Sequence, residues 1–297
     1  MSPRHVALAV LVAAIWGFNF VVVEVGLDDV PPLLLSFLRY SLASLALLVL
    51  LRRPPVPWRW ILAVGAIIGV VKFSLLFIGM DIGVGAGLAS LVLQAQAFFT
   101  LGFAALLGER LRRAQLAGMA LALLGLGLVA TGADGADSLA GLALVVLAAA
   151  AWGMGNLVIK RAGAQDMVAF MTWICVVPPI PLLVLSLSFE GTGAAADSLA
   201  HISFTGVACI VYLAIIATIV GWAIWGHLLG RYSPSVVAPF SLLVPIFGLI
   251  SGALVLGERL TALDLTAAVL ILAGLACATA RPASWRTVLA VKARAPQ

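Results

Sequence analysis

Apolar residues along this chain run for some twenty positions at a time, interrupted by short clusters of Pro, Gly and charge. The runs show neither the alternation of a half-buried strand nor the single stripe of a surface helix. Segments of that length cross about 30 Å of hydrocarbon as helices. Ten such spans are predicted, over residues 5–24, 33–51, 60–79, 84–107, 114–131, 139–159, 167–187, 204–229, 234–256 and 262–280. A transmembrane barrel would be written in shorter alternating strands. The connections are short, the longest covering residues 188–203, so no water-soluble domain fits between the spans.

Composition sharpens this picture. Of 297 residues, 64% are hydrophobic and 10% charged, against roughly 25% charged in a soluble domain. So few charges cannot cover a soluble surface, and the chain reads as an all-α integral membrane protein. Cys175, Cys209 and Cys277 lie inside predicted spans and form no CxxC pair. They read as small apolar side chains, with no metal site, disulfide framework or cofactor expected. The sequence pI near 9.6 does not point to nucleic acid, because the basic residues border the spans and act as topology signals.

The chain is written twice. "WGFNFVVVEVGL" (16–27) returns as "WGMGNLVIKRAG" (152–163), pairing Trp16 with Trp152 and Gly17 with Gly153, but Glu24 with Lys160. "LLRRP" (50–54) falls opposite "SLSFE" (186–190), and "LLGERLRR" (106–113) returns as "VLGERLTA" (255–262). Three corresponding connections therefore differ in sign or basicity. Lys and Arg are retained on the cytoplasmic side of membranes. Five helices per repeat make the second copy cross in the opposite sense, and the reversed charge follows. With the N-terminus inside, fourteen of the seventeen Lys and Arg fall on the cytoplasmic side; of the twelve acids only Glu109 and Asp166 do. The expected organisation is a first five-helix repeat over 1–136, an inverted second repeat over 137–281 and a cytoplasmic basic tail over 282–297. The internal counterpart of the first span also argues that this span is a member of the bundle rather than a cleaved signal.

Inverted repeats are a recurring plan of secondary transporters, in which two half-bundles rock about a midplane site. The paired "WG" helices, "FLRY" (37–40) and the two "GER" turns resemble the EamA family of the drug/metabolite transporter superfamily, and within it the YddG-type amino-acid exporters. The resemblance spans nearly all ten helices. It implies a central cavity and export of amino acids or related metabolites across a bacterial inner membrane by alternating access, with both termini cytoplasmic. Pro245 stands thirteen residues before Glu258, whereas the first half has Gln96 thirteen before Glu109. Relatives often carry Pro at both places, so the fourth helix is expected to be straighter than the ninth.

Lys72 is the sharpest chemical signal, twelve residues beyond Trp60 and so about 18 Å along its helix, near the bilayer middle. Lysine there costs about 2.5–3.5 kcal/mol on insertion scales and must face a wet cavity or a partner. It can attract a substrate carboxylate, or it can tether a carbonyl. Arg39 lies nearer the outer boundary, where it can snorkel, pair with Glu24 or Asp81, or serve an outer gate. Trp16, Asn19 and Phe20 share one face of the first span, and Trp152 and Asn156 make a similar pair in its counterpart. Their alternative role is bonding between helices. Gln94 and Gln96 point about 200° apart, and Gln96, aligned with Thr100, is the one expected to face the cavity. Trp222 and Trp225 would line it with aromatic surface or simply pack. His227, at the cytoplasmic end of the eighth span, reads as an interfacial histidine or a proton-linked gate. In the "GER" turns, Gly108 and Gly257 suit helix ends and the following Glu suits the start of the next helix.

No GxxxxGK[ST], HExxH or GxSxG nucleophile is present, which argues against ATP hydrolysis through a P-loop and against an intramembrane enzyme. No carboxylate lies deep in a span, so coupling to an ion gradient through a buried acid has no support. The expected partners are a small-molecule substrate and membrane lipid. Two rivals stand beside amino-acid export. A sugar-phosphate or nucleotide-sugar carrier of the same superfamily would need more than one cavity cation for a phosphate dianion, and a non-transport membrane scaffold would leave Lys72 unexplained.

Overall fold

The computed structural model describes residues 1–50, 53–132, 136–232 and 234–279. The basic tail 282–297, with Arg52 and Arg281, lies outside the described residues. All regular structure among them is helical. The ten helices are α1 Pro3–Leu27, α3 Trp58–Asp81, α4 Ala86–Leu106, α5 Arg113–Thr131, α7 Met167–His201, α8 Phe204–Arg231, α9 Pro239–Leu256 and α10 Ala262–Thr279, with α2 at Pro32–Leu50 and α6 at Ala136–Ala162. Their ends fall within a few residues of the hydropathy reading, with one exception. The expected connection over 188–203 is largely helical, continuing α7 as Thr192–His201 past a break at Gly191, where φ is +90°. The Ala-rich stretch "GAAADSLA" favours helix in its own right.

The helices are interrupted at several places, two of them beside prolines. A 3₁₀ turn at Ile174–Val176 precedes Pro178 and Pro179 in α7, and another at Ala238–Leu242 contains Pro239 in α9. Proline removes a backbone donor and crowds the preceding turn. Wider π-turns occupy Gly65–Lys72 in α3, Tyr212–Val220 in α8 and Gly252–Leu256 in α9. The α4 helix carries only the 3₁₀ turn Leu93–Ala95.

Packing exchanges under a swap of the repeats. The α1 helix packs on α9 as α6 packs on α4, and α1 packs on α8 as α6 packs on α3, while α5 pairs with α10. This is the arrangement of two inverted five-helix repeats. The duplicated glycines set its closest approaches. A Cβ at Gly17 would meet Val244 O, Phe247 Cβ and Gly248 N; one at Gly153 would meet Gln96 O, Phe99 Cβ and Thr100 N. These contacts place Gln96 opposite Val244 and Ala97 opposite Pro245, which corrects the Gln96–Pro245 pairing expected from the "GER" turns. The π-turn in α9 lies between the two registers and holds one residue more per turn than an α-helix.

Carboxylates close the end of the bundle where α1 finishes. Glu190 accepts from Leu33 N (2.6 Å) and Leu34 N (3.1 Å) at the start of α2. Glu24 accepts from Ala86 N at 2.6 Å, and Glu258 from Gly87 N at 3.1 Å, both at the start of α4. The glutamate of the second "GER" turn therefore caps α4, not the next helix in the chain; Asp264 takes that role at Thr261 N, 2.9 Å away. In the first turn Glu109 pairs with Lys160 at 2.7 Å. Gly108 and Gly257 do end their helices, at φ +92° and +70°, a conformation that glycine adopts without a Cβ clash.

Candidate functional site

The helices other than α5 and α10 converge on a cavity of about 520 Å³. Eight of the nine residues read from sequence as cavity candidates line it: Lys72, Trp16, Asn19, Phe20, Gln96, Asn156, Trp222 and Trp225. The ninth, Thr100, does not. Its hydroxyl donates to Gln96 O at 2.7 Å within its own helix and accepts from Asn156 Nδ2 at 3.1 Å. Asn156 also donates to Gln96 Oε1 at 2.8 Å. Thr100 thus stands one layer behind the wall, holding two residues that form it.

Lys72 ends the π-turn of α3 and is 3% exposed. Its Nζ lies 3.3 Å from the centroid of Phe73 and 4.6 Å from that of Trp152, so aromatic faces supply its electrostatic partners. Arg39, expected near the outer boundary, also lines the cavity and is 6% exposed. It does not pair with Glu24 or Asp81: Glu24 is engaged at the start of α4, and Asp81 is exposed. Arg39 instead donates from Nη2 and Nε to Thr218 Oγ1, at 3.1 and 3.3 Å, and leans on Phe73 with Cζ 4.5 Å from the ring centroid. Its Nη1 is buried with no partner, as is Oδ1 of Asn19. Among the described residues no Asp or Glu lines this cavity.

The aromatic wall is organised around Trp16. Its indole N–H donates to Ala217 O at 3.0 Å, fixing the ring to the π-turn of α8. Trp222 and Trp225 sit 5.2 and 5.3 Å from it, centroid to centroid, tilted at 55°. Trp152 and Gln94 also line the cavity. Trp152 was reachable by its equivalence to Trp16. Gln94 was set aside by the 200° rule, which assumes a uniform helix and fails across the 3₁₀ turn Leu93–Ala95. His227 lies outside the lining, exposed, with its ring 5.7 Å from that of His5.

Inverted half-bundles enclosing a charged, aromatic-walled hollow define a membrane solute carrier. The chain belongs to the EamA-like transporter family, which matches residues 4–131 and again 139–280. It is 44% identical over 282 residues to a probable amino-acid metabolite efflux pump of Salmonella typhimurium, covering 93% of this chain and 94% of the relative. The same figures hold for the protein of that description in Escherichia coli. It is 28% identical to a probable terminal-alkyne amino-acid exporter of Streptantibioticus cattleyicolor, covering 89% and 90%. A solved crystal structure matches the fold at a TM-score of 0.61 and 18% identity, covering 94% of this chain and 98% of the other.

Proposed function

We propose that this carrier exports amino acids or their close metabolites across a bacterial inner membrane, holding the carboxylate between Lys72 and Arg39 and the apolar part against Trp16, Trp222 and Trp225. The observation that carries this reading is two buried basic side chains, Lys72 and Arg39, with no lining carboxylate among the described residues, set beside a tryptophan wall. A buried charge is costly unless paired, and a carboxylate cargo supplies the pair. The printed descriptions of the bacterial relatives agree in substrate class. The positive-inside count supports cytoplasmic termini. On that orientation the cavity reaches the cytoplasmic end, since Met167 and Val168 at the start of α7 and Leu229 near the end of α8 belong to its lining. The opposite end is packed shut by Val23, Leu34, Leu35, Phe77, Met80 and Val84. This is a state ready to load from inside, as export by alternating access requires.

Arg39 as a second lining cation also meets the requirement set for a sugar-phosphate carrier, so the test includes both classes. Purified protein in liposomes should accelerate movement of labelled neutral amino acids but not of a labelled hexose phosphate. Lys72→Met should raise the half-saturating concentration about 10- to 100-fold, from the roughly 1.5–3 kcal/mol of a hydrogen bond to a charged group. Rates equal to those of empty liposomes across an amino-acid panel remove the claim. Unchanged transport in Lys72→Met removes the carboxylate role alone.

A further inference from the structure

A second hollow, of about 350 Å³, lies between α4 and α5 and shares no lining residue with the cargo cavity. Its lining is wholly apolar, with Phe99, Phe103 and Leu106 from α4 and Met119, Leu123 and Leu126 from α5. It opens toward the bilayer, since Leu106 and Leu123 are 84% and 67% exposed. The gap follows from packing: α5 pairs chiefly with α10 rather than with its chain neighbour α4. Gly102 then leaves the gap unfilled, because a Cβ there would meet only Met119 Cε, at 4.0 Å. Between Ala95 and Leu106 the groove follows α4 for about 16 Å, close to one leaflet of a hydrocarbon core about 30 Å thick. A helix about 10 Å across would need roughly 1,000 Å³ along that length, so a neighbouring copy does not enter it. An acyl chain does.

The mouth of the groove adds charge to that shape. Directly beyond Leu106, the connection into α5 carries Arg110, Arg112 and Arg113, all exposed. Glu109, the acid of the same turn, is committed to Lys160 at 2.7 Å. On the positive-inside orientation these arginines stand at the cytoplasmic headgroups. Topology alone would account for the arginines, but not for an unfilled apolar groove that ends beneath them. We propose that the groove binds one anionic phospholipid of the cytoplasmic leaflet, its acyl chain along α4 and its phosphodiester on Arg110 and Arg113. Basic pockets between spans on that side recognise anionic headgroups, and the arginine fork suits a phosphate. The lipid bears on the carrier through α4, where Ala95 of the groove stands between Gln94 and Gln96 of the cargo cavity.

Delipidated protein in detergent is titrated with phosphatidylglycerol or phosphatidylcholine of identical chains, following the melting temperature. Native mass spectrometry counts the lipid that stays bound. Phosphatidylglycerol should bind at least tenfold more tightly, the preference expected of two arginines at the membrane surface, and a single copy should be retained. Arg110→Gln combined with Arg113→Gln should bring it down to the level of phosphatidylcholine. Arg59→Gln, which removes an exposed arginine at the start of α3, should leave the preference intact. Gly102→Leu, which fills the groove where a Cβ meets no backbone, should lose the retained lipid. Glycerophosphoglycerol, the same headgroup without chains, should neither stabilise nor compete. Equal binding of the two lipids by the wild type overturns the proposal in favour of ordinary lipid packing, and that comparison needs no variant. Stabilisation by glycerophosphoglycerol alone overturns it in favour of a site for soluble anions. Undiminished retention in Gly102→Leu overturns the placement in the groove. None of these readouts depends on what the carrier moves.

Discussion

Alanine at Gly17 should loosen the whole transporter, although it adds a single methyl group. The Cβ would lie 2.5 Å from Phe247 Cβ, 2.7 Å from Val244 O and 2.9 Å from Gly248 N, where unstrained carbon contacts stand at about 3.5–4.0 Å. Two of those three atoms are α9 backbone, so no side-chain rotation relieves the clash and α9 itself must retreat. Overpacking of this kind costs about 1–3 kcal/mol. At about 2–4 °C per kcal/mol for chains of 150–250 residues, the melting temperature in detergent should fall by roughly 2–12 °C. Gly153→Ala meets the symmetric contact at 2.8, 2.9 and 3.1 Å and should cost less. Gly127→Ala is the control, since nothing lies within 4 Å of its Cβ position and alanine is the better helix former by about 1 kcal/mol. Thermal unfolding followed by size-exclusion chromatography ranks the three. Gly17→Ala melting with or above Gly127→Ala would refute the close α1–α9 packing and the repeat register drawn from it.

Asn156→Leu should remove both bonds to α4 and leave Gln96 Oε1 without its donor, while Thr100 Oγ1 keeps its bond to Gln96 O, at a cost of about 1–3 kcal/mol in stability. Denaturant or thermal unfolding reads the loss, and an unchanged midpoint would argue that the α4–α6 polar contact contributes nothing. Burial holds the carboxyl of Glu258 above its ordinary range, with the N–H groups of Gly87 and Ala86 pulling the other way. The folded state then binds more protons than the unfolded one, so this residue's contribution is favourable below the ordinary value and is lost as pH rises through the raised one. Melting temperature against pH should show a shallower decline in Glu258→Gln than in the wild type; parallel curves would remove Glu258 as a source of it.

The fold was readable because the bilayer imposes a length on each apolar run and a side on each lysine and arginine. The site was readable where burial forced a question: a lysine in mid-span needs water or a partner, and the cavity answers it. Reading failed where it assumed regular helix or local pairing. Thr100 was placed on the cavity face from α4 periodicity, but it does not line the cavity: its hydroxyl is consumed by Gln96 O and Asn156, a contact that needs α6 in place. Arg39 was read from its nearness to the helix end as snorkelling, pairing with Glu24 or Asp81, or serving an outer gate, whereas its side chain bonds Thr218, 179 positions away. No one-dimensional pattern encodes that pairing. The π-turns that end at Lys72 and precede Gly257 contain no proline to announce them.

The reversed charge between Glu24 and Lys160 has an energetic side beyond topology. At the end of the bundle carrying Glu24, two carboxylates engage the first amides of α4, at 2.6 and 3.1 Å, where the helix dipole favours negative charge. At the opposite end the corresponding pair is Lys160 with Glu109, both side chains more than half exposed at 67% and 56%. An exposed pair of that kind contributes about 0–1 kcal/mol. The position matching Ala86 in the second half is Pro234, which has no N–H to offer a glutamate. One end is thus fastened by carboxylates on backbone amides, and the other by an ion pair that solvent screens. The cavity reaches toward the start of α7, at the end held by the exposed pair.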